Sequence, residues 1–163
     1  MKERTINIHK SDILFDVDAV THVFADVNAA ANIKASDASE SDSGDTSNAA
    51  LLTSFADARA AQLKERLGRF LKVGTETTTA NAANTTGTEY TFSLYVENGF
   101  LDVLMGDLAH EMRAYISNGV IADWYAATGS QQSAVYAGML APSYSRIVEY
   151  IVKRTFPGRP STT

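Results

Sequence analysis

Residues 4–9 alternate between polar and apolar, which places Ile6 and Ile8 on one face. Alternation with a period of two predicts a short strand or extended arm. Ser11 or Asp12 then offers a side-chain oxygen to free first-turn amides. Ile13, Val17, Val20, Phe24 and Val27 follow at spacings of three and four, so the pattern predicts an amphipathic helix over about 12–33. A second stripe, Ala56, Ala60, Leu63, Leu67, Phe70 and Leu71, predicts a helix over about 48–73, with its basic residues mostly between the stripe positions and Gly74 as its stop.

The clearest strand signal is EYTFSLYVE. Tyr90, Phe92, Leu94 and Val96 point one way, and Thr91, Ser93, Tyr95 and Glu97 point the other. A lone strand leaves its amides unpaired. Its partner is therefore the N-terminal strand, a strand of another subunit, or the preceding loop acting as the other arm of a hairpin. Asn98-Gly99 turns the chain into a long helix over about 100–127, lined by Leu101, Met105, Leu108, Met112, Tyr115, Ile116, Gly119 and Val120 and continuing to Trp124. Gly129 closes it, and Ser130 caps a shorter helix through Leu140. Pro142 is expected to break that helix, because its ring clashes with the preceding turn. Ser143 then restarts a last helix, with Ile147, Val148, Ile151 and Val152 on its buried face.

Two stretches are of other material. Residues 35–47, ASDASESDSGDTS, carry four acids and no base, and 75–88, TETTTANAANTTGT, hold no large apolar group. Such segments bury too little apolar surface to offset their ordering entropy, so both are expected to be mobile loops. The sequence therefore predicts a mainly α fold. It is a small bundle of about four to five helices with a short β strand or hairpin element and extended termini. One domain spans 1–154, containing the acidic loop 35–47 and the polar loop 74–88, and an extended tail covers 155–163.

Composition narrows the classes of function. The chain has 163 residues, 45% of them hydrophobic and 20% charged, enough for one sizeable core. There is no cysteine, hence neither disulfide nor thiolate chemistry, which fits a reducing compartment. The opening MKERTINIHK has no apolar stretch behind its charges and does not read as a signal peptide. No run approaches the roughly 18 apolar residues of a membrane span. The net charge of −5 disfavours a general nucleic-acid binder. That charge is banded: net −6 over 1–58, +4 over 59–72, −6 over 73–141 and +3 over 142–163. The bands are either solvated helix faces or surfaces that meet opposite bands on neighbouring subunits.

Candidate chemistry is sparse. His22 has Asp18 and Asp26 four residues to either side, a possible helix-face ligand set but more simply a solvated polar face. His110 has no second histidine at that spacing, and the third histidine is His9. Asp12, Asp16 and Asp18, or Asp102 and Asp107, are the nearest carboxylates for acid–base work. Near helix starts they are better read as complementing the helix dipole. Phosphate-loop and nucleophile-elbow motifs are absent from the sequence. Tyr115, Trp124, Tyr125 and Tyr136 form an aromatic group, read as core packing or as an interface anchor. The reading is non-enzymatic, with no catalytic, metal or cofactor residue assigned.

The stretch RAYISNGVIADWYAATG, followed by AVYAGMLAPSYSRI, resembles the head–tail adaptor (head-completion) family of tailed phages. That family carries a long helix ending in an aromatic Trp-Tyr-like segment, here Trp124-Tyr125. A spacer and a small apolar run follow, ending in Leu-x-Pro-Tyr or similar, here Met139-Leu140-Ala141-Pro142-Ser143-Tyr144. The resemblance covers about 50–144. It implies a structural protein of the virion neck, assembled in the host cytoplasm. Its copies, commonly twelve, would form a ring under the portal that extends the DNA channel and seats the tail or stopper. Homo-oligomer, portal, downstream tail or stopper proteins and passing genomic DNA are the implied partners, without cofactor, membrane or sequence-specific DNA contact. In the C-terminal tail, Lys153, Arg154, Phe156, Pro157 and Arg159 offer basic groups and one large apolar anchor, and are expected to dock onto a neighbour. Another neck or tail completion part, a small helical enzyme without a familiar motif, and a regulatory binding module remain the alternatives.

Overall fold

The computed structural model describes residues 1–30, 46–72 and 87–153, with backbone alone at 23–30 and 46–48. The protein is mainly α, with four helices and one two-stranded antiparallel sheet among these residues. The order is β1 (Lys2–His9), α1 (Lys10–Ala30), α2 (Thr46–Arg66), β2 (Glu89–Val96), α3 (Met105–Ala127) and α4 (Gln132–Val152). Single 3-10 turns at Gly68–Phe70 and Asp102–Leu104 follow α2 and precede α3. The two expected loops, 35–47 and 74–88, lie outside the described residues except at their edges.

β2 finds its partner in β1. The register pairs Ile6 with Phe92 and Ile8 with Tyr90, so the apolar positions of both strands share one buried face. On the opposite face of β2, Ser93 is buried as well. The chain after α2 runs along the far edge of β2, where Leu71 bridges Leu94 and the Lys72 N–H donates to the Ser93 carbonyl at 2.9 Å. That same run explains why α2 ends at Arg66 and not near 73. Leu71 is extended there, and an α-helix cannot lie in a sheet ladder.

The long helix begins at Met105, five residues later than expected, because Asp102–Leu104 form the 3-10 turn. It ends where the sequence places its stop. Gly129 has φ of 73°, the left-handed conformation that glycine adopts without strain, and the Ser130 N–H closes the end on the Tyr125 carbonyl at 2.8 Å.

Pro142 does not break the last helix. α4 runs unbroken from Gln132 to Val152 with Pro142 inside it, so the two expected helices are one. The carbonyl that proline cannot bond belongs to Gly138, and both residues are exposed. Carbonyls on a solvent-facing side can tilt toward water, so the missing bond costs less than in a buried helix. The opposite face is anchored by Ser143, Ile147 and Ile151.

One core joins all six elements, with Ile6, Ile13, Leu63, Phe92, Ile116 and Ile147 among its buried members. α3 is its axis. Arg113 of α3 clamps Asp16 of α1 with bonds of 2.6 and 2.7 Å. Asp123 of α3 accepts two bonds from Arg59 of α2. Glu111 of α3 accepts from Ser143 and Arg146 of α4 at 2.6 and 2.8 Å. Gly119 is buried because Arg59 lies over it: a Cβ there would sit 2.7 Å from the arginine Cδ. Close approach of a neighbour's side chain therefore favours glycine in mid-helix.

The Tyr115 hydroxyl is fully buried and has no hydrogen-bond partner among the described residues. An unsatisfied buried hydroxyl costs about 1–3 kcal/mol in lost hydration. Tyr115→Phe is accordingly expected to raise the free energy of unfolding by about 1 kcal/mol in urea titrations. A loss of stability would show that the hydroxyl is satisfied.

Candidate interaction surface

Of the candidate acid–base residues, Asp12, Asp16 and Asp102 hold elements together, while Asp18 and Asp107 are exposed. Asp12 and Asp16 face Arg113, and Asp16 also accepts from Ser117 at 3.1 Å. Asp102 receives a two-pronged Arg4 and is held below the usual carboxylate range chiefly by those hydrogen bonds. Asp12 and Asp107 occupy the first turns of α1 and α3, where a carboxylate complements the helix dipole. His9 lies 3.1 Å from Glu89, while His22 and His110 are exposed. Among the described residues, no group of three histidine or acidic side chains is placed to hold a metal ion, and no helix is long and apolar enough to cross a membrane.

The basic band 59–72 is engaged in contacts within the fold, although Arg66 and Arg69 are exposed. Arg59 pairs with Asp123 and Lys72 with Glu3, while Arg66 and Arg69 lie over the Tyr144 and Phe70 rings. Burial works against ionisation of Glu111, but the bonds from Arg146 and Ser143 outweigh it and hold its carboxyl below the usual range. The aromatic group is core: Tyr115, Trp124 and Tyr125 are buried, and Tyr136 is partly buried against Tyr125 with ring centres 5.8 Å apart. Burial pushes the Tyr125 hydroxyl up to about 12.

What the sequence did not single out is the outer face of α4. From Trp124 to Ser145 the chain carries no charged residue. In the first half of α4 no residue is buried, yet Val135 is 52% and Met139 43% exposed. Ala134, Ala137, Gly138 and Ala141 are exposed around them. A surface helix normally turns one apolar stripe inward and polar groups outward. Here Tyr136 and Leu140 pack inward against the core while apolar groups also face out. The signal was legible: residues 134–142 are apolar at every position, too many for one stripe. Dividing the helix at Pro142 concealed it.

A second feature lies at the other end of α4. A cleft of about 280 Å³ is lined by Phe70, Tyr95, Phe100 and Val152, with Arg69 and Glu97 at its polar positions. Lys153 leaves the helix there, extended and exposed. The other tail residues assigned to docking, Arg154, Phe156, Pro157 and Arg159, lie outside the described residues. Comparison with protein families, with curated proteins and with solved structures gave no match.

Proposed function

We propose that this chain is a structural subunit of the tailed-phage neck, a head–tail adaptor whose copies form a ring below the portal. In this role it extends the DNA channel and seats the tail or stopper. The observation that carries the reading is the uncharged, apolar outer face of α4. Interface centres are depleted of charge and enriched in apolar and aromatic groups. This face also lies within the segment that carries the family resemblance. In that segment, Trp124-Tyr125 packs the end of α3, and Tyr144 fastens α4 to α2 by donating to the Arg66 carbonyl at 2.9 Å. The protein's work, on this reading, is to be covered by neighbours.

The test is mass spectrometry of purified tailed particles that encode the chain. Its peptides are expected at a fixed ratio to those of the portal, and at about twelve copies per particle if the ring has the number the resemblance implies. A variant lacking 155–163 is expected to keep its helical signal and to be lost from the particle at least tenfold, as docking through Phe156, Pro157 and Arg159 requires. Particles with portal and tail but without the chain would overturn the proposal.

A further inference from the structure

Three aromatic rings converge at the C-terminal end of α4. Phe70 of the 3-10 turn after α2, Tyr95 of β2 and Phe100 line the cleft of about 280 Å³, and Val96, Ile151 and Val152 join them. Val96, Phe100 and Ile151 are buried, while Tyr95 is 36% and Val152 47% exposed, so the cleft has an apolar floor and an open apolar rim. Its volume lies just below the roughly 300–1,000 Å³ of pockets that take drug-sized ligands. It suits one large apolar side chain better than a free small molecule.

The described chain ends at this wall. Ile151 and Val152 line the cleft, and Lys153 then leaves α4 in an extended conformation, with φ of −67° and ψ of 128°. The sequence continues RTFPGRPSTT, outside the described residues. Phe156 is the large apolar group of that tail, four residues past Val152. Four residues span at most about 14 Å, so the tether keeps this ring beside the cleft. A ligand on a short linker meets its site at an effective concentration on the order of millimolar. A seat for a single side chain, too small to capture a free peptide from dilute solution, is filled by a segment held so close. Pro157 and Pro160 lessen the conformational freedom lost on docking. Charge agrees as well. The tail carries Arg154 and Arg159 and no acid, and Glu97, which lines the cleft, is exposed. Arg69, also at the cleft, is drawn over the Phe70 ring at 4.5 Å.

We infer that this cleft seats Phe156 of the chain's own C-terminal tail, which lies back across the end of α4 in the free subunit. The inference goes beyond the assembly reading above and does not rest on it. A tail that docks onto a neighbour must first withdraw Phe156 from its own cleft, so the contact opposes docking before a neighbour is present. Its test needs only purified protein, so failure of this contact and absence from the virion neck are read separately.

The experiment places a nitroxide on Ser161→Cys, since the chain has no native cysteine, and reads the methyl signals of Val96 inside the cleft. Those signals are expected to be at least twofold weaker than in the same tagged chain carrying Phe156→Ala, and equally so at every protein concentration. Val152→Lys sets a base in the rim against a basic tail and is expected to restore the signals as Phe156→Ala does. Val152 is exposed, so its circular dichroism is expected to match wild type, and Tyr95→Ser replaces it if it misfolds. Tagged, unlabelled protein mixed with untagged, labelled protein is expected to leave Val96 unchanged. Three results would overturn the inference: Val96 signals that the tag does not weaken, weakening that survives Phe156→Ala, or equal weakening in the mixture, which would assign the cleft to the tail of another copy.

Discussion

Asp57→Ala is expected to lower the free energy of unfolding by about 3 kcal/mol at pH 7, although Asp57 stands on the exposed-looking side of α2's sequence. In the fold it is the centre of a polar knot between α1, α2 and β2. The Lys10 ammonium lies 2.8 Å from its Oδ1, and the Tyr90 hydroxyl donates to the same oxygen at 2.6 Å. The ammonium also sits 5.0 Å from the Tyr90 ring centre, and the Lys10 N–H donates to the Thr88 carbonyl. Lys10 is only 8% exposed. Removing the carboxylate leaves a charge with little water and a hydroxyl without its acceptor. Breaking one side of a buried pair costs about 3–5 kcal/mol, and the partial exposure of both groups places this one at the low end. Asp57→Asn keeps an acceptor for Tyr90 and is expected to cost about half as much. Lys10→Met with Asp57→Leu is expected to recover most of the loss, since an apolar pair of similar volume needs no hydration. Urea unfolding of the two singles and the double forms a cycle that isolates the coupling. A single Asp57→Ala variant within 0.5 kcal/mol of wild type would rule out the knot.

The knot also marks where the sequence stops being legible. Periodicity suffices for elements whose apolar positions answer to one neighbour. β2 and its inner face, the stripe of α3 through Trp124 and the glycine stop at Gly129 all follow from spacing and local backbone chemistry. Lys10, Asp57 and Tyr90 are 33 to 80 positions apart along the chain, and nothing local distinguishes them from solvated residues. The same holds for Ser93, whose burial depends on the edge that residues 71–72 cover. Pro142 failed for a different reason. The cost of a helical proline depends on whether the orphaned carbonyl can reach water, and that depends on which face looks outward. The candidate surface was half legible. The absence of charge from 124 to 145 is visible in the sequence, but that Val135 and Met139 stay exposed while Tyr136 and Leu140 pack inward is not.

Stability is expected to rise between pH 8 and about 10 and to fall above it, with Lys64 responsible for the rise. The helical spacing of α2 reads Lys64 as a residue between stripe positions, but it is buried, with its nitrogen 5.2 Å from the centre of the Phe92 ring. Desolvation lowers its pKa from 10.5 to about 8. Below pH 8 both folded and unfolded chains hold this proton, and the cost of keeping the charge out of water is fully present. Between pH 8 and 10.5 the folded chain has released the proton and the unfolded chain has not, so raising the pH favours folding. The whole shift corresponds to about 3 kcal/mol at 1.36 kcal/mol per pH unit. Attraction of the ammonium to the face of the Phe92 ring favours the charged form in the fold and reduces the expected rise to about 1–2 kcal/mol. Above pH 10 the sign reverses. Tyr125 is pushed up to about 12 by burial, and Tyr90 is raised further, by burial first and then by its bond to Asp57. Unfolded tyrosines ionise from pH 10 while these keep their protons, so stability is lost as the pH climbs. Lys64→Met is expected to be more stable than wild type at pH 7, to lack the rise from 8 to 10, and to keep the fall beyond it. Urea midpoints measured from pH 7 to 11 on both proteins provide the check, and parallel curves for the two would remove Lys64 from the account.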